Sequence, residues 1–180
     1  MHGFRRRFAK VTATLEPMEA TLIADLVDQV RQLLAQRRQD RPQDPLAQLT
    51  GITVGPADTP DDPALARLLP DFHAEDAELS AGLRQLREPE LIEAKDTAAR
   101  TLLDTLPPGG GTVRLDEAQA NAWMTALNDV RLAMAERLQI TDDDEPAAVR
   151  ADPDGPAAAM YATYRWLSAV LDSLVAATMD

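Results

Sequence analysis

The chain has 180 residues with 30 acidic and 18 basic side chains, a formal net charge of −12, and no cysteine. That length fits one domain that needs no covalent staple, and the lack of thiols excludes disulfides, cysteine nucleophiles and Cys-type zinc sites within it. Aromatic residues make up 4% against 45% hydrophobic, so the core must be built from Leu, Val, Ile, Met and Ala.

Taken in chain order, Val11, Ala13 and Leu15 alternate with Lys10, Thr12 and Thr14, the period of a short strand. Pro17 then stands at the first position of a helix to about Gln36, with an apolar stripe from Leu22 to Leu34. Five prolines and two glycines make residues 37–63 a loop, with room for a helical turn at Pro45–Leu49. A short helix is expected at Pro63–Leu69 and a longer one over Phe72–Arg87. Pro89 breaks or restarts that helix, and a further one runs to Leu106, stopped by Pro107-Pro108-Gly109-Gly110-Gly111. Thr112–Leu115 reads as a second strand, and Asp116 with Gln119 as a capping box for a helix to about Leu138. Residues 141–156 form an acidic loop before a last helix from Ala157 to about Met179.

A shift of 100 positions lays Leu15, Ala20, Val30 and Arg31 on Leu115, Ala120, Val130 and Arg131, so one strand–turn–helix unit occurs twice. The expected fold is therefore mainly α with a minor two-stranded β ribbon (α+β), a single helical domain over residues 1–180 with five or six helices. The two strands pair, and the helices after them pack side by side. The core should draw on the Leu22–Leu34, Trp123–Leu138 and Met160–Leu174 stripes.

The charge is uneven. Residues 1–41 hold eight basic side chains against five acids, a net of +3, and the remainder holds ten against 25, a net of −15. An acidic body repels phosphate backbones, which argues against general nucleic-acid binding and leaves a local contact to the basic first segment. The first residues lack the apolar run of a signal peptide, and the apolar stretch Ala157–Thr178 carries Arg165 and Asp172 mid-span. A cytoplasmic protein with no membrane contact is expected.

Neither His2 nor His73 has a ligand at helical metal spacing, and His73 reads as a polar residue at a helix start. The Gly109–Gly111 run lacks the lysine and hydroxyl of a phosphate cradle. The acids at 142–145 and Asp152-Pro153-Asp154-Gly155 do not follow calcium-loop order, and the pairs Glu90/Glu93 and Asp76/Glu78 read as solvated faces. No catalytic residue, metal ligand or cofactor is expected. Arg131 falls inside the apolar stripe of its helix, so it must reach the rim or meet a carboxylate. Arg5, Arg6 and Arg7, between Phe4 and Phe8, are suited to phosphate contacts from a flexible arm. The last helix is apolar nearly all round and either lies in the core or meets a second chain, so a homodimer stays open.

Leu15-Glu16-Pro17 with Glu19-Ala20, Asp44-Pro45-Leu46-Ala47, Pro63–Leu69, Glu88–Lys95, Leu106–Gly110, Tyr164–Leu167 and above all Trp123–Leu132 together resemble the actinobacterial domain-of-unknown-function family two-thousand-and-seventeen. The resemblance implies a small cytoplasmic protein encoded near genes for a Clp protease adaptor and for sulfur assimilation. Some members are named oxidation-sensing transcriptional regulators that act with the transcription machinery through a cysteine pair. This sequence has no cysteine, so that switch has no counterpart here. The expected function is then non-enzymatic regulation through a protein partner, with direct DNA binding as the alternative. The expected contact residues are Arg5, Arg6, Arg7, Asn128, Asp129 and Arg131.

Overall fold

The computed structural model describes residues 2–39, 55–141 and 145–179. In order the elements are β1 (His2–Arg7), β2 (Lys10–Leu15), α1 (Pro17–Gln39), α2 (Pro63–Leu68), α3 (Ala77–Thr105), β3 (Gly111–Leu115), α4 (Glu117–Arg137), α5 (Ala147–Ala151) and α6 (Pro156–Met179). The α+β class stands, with a correction to the sheet: it has three antiparallel strands in the order β1-β2-β3. Residues 2–7 are no arm but an edge strand, hairpinned to β2. The turn considered at Pro45–Leu49 and the acids Asp142–Asp144 lie outside the described residues.

The repeated unit is visible in the backbone. β2 and β3 pair with Val11 opposite Leu115 and Ala13 opposite Val113, and α1 and α4 touch. Each helix begins with the same reach-back: the Glu19 carboxylate accepts from the Glu16 N–H at 2.8 Å, and the Gln119 amide oxygen accepts from the Asp116 N–H at 2.9 Å. Asp116 completes the capping box by accepting from the Gln119 N–H. Gly110, at φ 84°, lies so close to the β2–α1 junction that an added Cβ would stand 2.7 Å from Pro17 N, so only glycine fits there.

The inner sheet face (Phe4, Val11, Ala13, Leu15, Val113, Leu115) meets the helices around Trp123, which has no exposed surface. The Trp123 indole N–H donates to Thr105 Oγ1 at 2.7 Å, and the Phe4 ring meets the indole edge-on at 5.7 Å. The stripes of α1, α4 and α6 supply much of this core, but two begin later than expected: Leu22 and Met160 are exposed, and burial in α6 starts at Leu167.

α3 corrects a second expectation. It is one helix of 29 residues running through Pro89, and it starts at Ala77 rather than at Phe72, with Asp76 as its N-cap. Proline lacks the N–H that would bond the Gln85 carbonyl. The Gly55 N–H donates to that carbonyl instead, at 2.8 Å. Residues 55–71 are thereby strapped to α3, and two buried arginines tighten the strap. Arg84 donates to the Leu69 carbonyl (3.0 Å), Asp71 (2.7 Å) and Glu88 (2.8 Å), while Arg37 donates to Glu88 (2.7 Å) and to the Asp58 carbonyl.

Candidate functional site

The strand register sorts the arginine triplet. Arg6 stands opposite Val11 on the inner face, whereas Arg5 stands opposite Thr12 and Arg7 opposite Lys10 on the outer face. Arg6 reaches past the sheet edge and donates to the Thr178 carbonyl at 3.3 Å, where a cation suits the C-terminal end of α6. Thr12 also stands opposite Arg114. One cross-strand row therefore reads Arg5–Thr12–Arg114, flanked by Arg7–Lys10 on one side and Thr14–Thr112 on the other.

Among the described residues, no helix covers this outer face. Arg5, Arg7, Lys10 and Arg114 are exposed, and with the threonines they line an open depression of about 610 Å³. Lys10 lies 3.5 Å from Asp116. Among the described residues, Arg5, Arg7 and Arg114 form no ion pair. At the hairpin tip Phe8 is fully exposed and takes φ 56°, a conformation that costs a non-glycine residue about 1–3 kcal/mol. Packing gives no reason for a phenylalanine there, and the turn itself would favour glycine.

Of the other expected contact residues, Asn128 and Arg131 are neighbours three positions apart on α4, and Asp129 turns inward. Asn128 is exposed on α4. Asp129 is buried, its carboxylate 2.6 Å from Lys95 Nζ, so it does not join Asn128 and Arg131 on an exposed edge. Burial pushes the Asp129 carboxyl above its ordinary range, against the opposing pull of Lys95. Of the two courses expected for Arg131, it takes the rim: it is half-buried and pairs with no carboxylate among the described residues. It donates to Ser168 Oγ at 2.9 Å and lies over the Tyr164 ring, 5.5 Å from its centre, which binds α4 to α6. His73 caps the approach to α3, its Nδ1 accepting from the Asp76 N–H at 3.0 Å.

Among the described residues, no group of three His, Asp or Glu side chains stands where it could hold a metal ion, and no helix is long and apolar enough to cross a membrane. The residues that sequence reasoning missed are Arg114, whose place beside Arg5 depends on pairing over a hundred positions, and Phe8. The signal for Arg114 was present in the alternation of Thr112–Leu115.

What the geometry defines is an acidic α+β protein with a helical layer on one side of a small sheet and, on the other, a cationic face that none of the described helices covers. The chain belongs to the family described as "Domain of unknown function (DUF2017)", whose model matches residues 1–178. It is 39% identical to the oxidative stress regulator AosR of Mycobacterium tuberculosis strain H37Rv, over 93% of this chain and 81% of that protein, and to the protein of the same name in Mycobacterium bovis to the same extent. A Mycobacterium leprae relative given that name provisionally is 41% identical, over 96% of this chain and 83% of its own length. No solved structure matches.

Proposed function

We propose that this protein is a non-enzymatic cytoplasmic regulator in stress control, acting by contact with a protein of the transcription machinery through the outer face of its sheet. The names of its relatives support the regulatory part. The observation that carries the contact is the row Arg5–Thr12–Arg114, an unpaired cationic surface on a molecule of net charge −12. A thiol switch has no residue to act on in these 180 residues, so the regulatory input is occupancy of this face.

The test is affinity capture from a native lysate with and without nuclease, using the wild-type chain and the triple variant Arg5→Glu/Arg7→Glu/Arg114→Glu. RNA polymerase or a sigma factor recovered by the wild type in both samples, and lost with the variant, is the expected result. Polymerase that disappears after nuclease would make DNA the bridge, the reading that the same cations favour if they meet phosphates. Recovery of neither would remove the transcription reading.

A further inference from the structure

The geometry of the outer face narrows the chemistry of its partner, a step that rests on the regulatory contact proposed above. We propose that this face docks an extended acidic peptide segment with carboxylates at alternate positions, with Phe8 as the apolar contact at one end. Arg5 and Arg7 point the same way from one strand, so their Cα atoms are about 6.8 Å apart, the separation of residues i and i+2 in an extended peptide. Arg114 lies two strands from Arg5, about 10 Å away, with Thr12 between them, its hydroxyl donating to the Arg5 carbonyl at 3.4 Å. Two or three carboxylates on one side of an extended chain can meet these guanidiniums together, and Arg forks suit carboxylates in pairs.

A nucleic acid fits this face less well. A duplex carries one negative charge per about 1.7 Å of axis, so it would extend its charge beyond the strands over an acidic body, whereas a short segment brings only the charges the face can neutralise. Single-stranded binding needs rings on which bases stack. Among the described residues of the outer face Phe8 alone offers one, and it stands at the hairpin tip.

The experiment is fluorescence anisotropy on the full chain at low salt, with labelled eight-residue probes. One alternates Asp and Ser and ends in Leu, a second has the same composition with its acids in one block, and a third replaces Asp by Lys. A 20-base-pair duplex is the fourth. Tightest binding of the alternating acidic probe is expected, weakened about tenfold by Arg5→Gln/Arg114→Gln. Phe8→Gly should weaken that probe severalfold while leaving the urea midpoint unchanged or higher, since it relieves the turn. Equal binding of the blocked probe, no effect of the double variant, or tighter binding of the duplex would each overturn the proposal. Absence of peptide binding alongside capture that still depends on Arg5, Arg7 and Arg114 would overturn the acidic-segment inference alone. Peptide binding without capture of transcription proteins would support it and overturn the function proposed above.

Discussion

Glu88 has no exposed surface and accepts hydrogen bonds from Arg84, itself 1% exposed, and from Arg37. A charge so placed holds only because its partners neutralise it, so Glu88→Ala leaves two guanidiniums deprived of their shared carboxylate. The expected loss is about 3–5 kcal/mol, read from denaturant midpoints. A loss under about 1 kcal/mol would mean that water reaches the cluster. Asp96 gives a pH-dependent case. Burial opposes its charge, but hydrogen bonds from Arg31 and Arg100 outweigh that and hold its carboxyl below the usual range. A folded pKa below the unfolded one makes ionised Asp96 stabilising above about pH 4, and that contribution is lost as pH falls through the folded value. Asp96→Asn should therefore lower the urea midpoint at pH 7, and the gap to wild type should close as the pH drops below 4. Asp129 works the other way, since its raised pKa makes protonation relieve a cost as pH falls. A gap that stayed constant from pH 7 to pH 3 would contradict the assignment to Asp96.

At the scale of elements, the junction of Gly55 with α3 explains why Pro89 interrupts no helix. An added Cβ at Gly55 would lie 3.2 Å from Pro89 Cδ and 3.4 Å from the Gln85 carbonyl oxygen. Gly55→Ala should cost about 1–3 kcal/mol by overpacking, and hydrogen exchange of the residue-55 amide should quicken. Pro89→Ala should quicken it as well, because the helix regains its own donor for Gln85. Unchanged exchange in both variants would show that the strap is held elsewhere. This contact also marks where the sequence stops being legible. The stripes of α1, α4 and α6 and the Asp116–Gln119 box are local patterns and can be read directly. That a remote amide satisfies the Gln85 carbonyl is not local, nor is the meeting of Arg37 with Glu88 across 51 positions. Strand β1 was hidden for a related reason: Arg5, Arg6 and Arg7 carry no hydrophobic alternation, and only pairing with β2 assigns Arg6 to one face and its neighbours to the other. Half of the candidate site was thus visible as composition, and none of it as a surface.

For the whole molecule, the charges separate into three populations with different responses to salt. The excess acids repel one another across the surface. Exposed pairs such as Arg87–Glu90 (3.0 Å) contribute little, and the Arg37–Glu88–Arg84 cluster is too buried for ions to screen effectively. Screening shortens to about 3 Å at 1 M salt from about 10 Å at 0.1 M, so added sodium chloride removes the repulsion first. With a net charge of −12, the melting temperature should rise by about 2–4 °C between 0.05 and 0.5 M, equivalent to roughly 1 kcal/mol for a chain of this size. Over the same range, binding to the outer face should weaken, because Arg5, Arg7 and Arg114 act on a partner through exposed charge. The two trends run in opposite directions, which separates them from a general salt effect on folding. A melting temperature that fell with salt would show that the exposed pairs outweigh the repulsion. Binding that strengthened as the fold stabilised would place the contact on apolar surface and away from the arginine row.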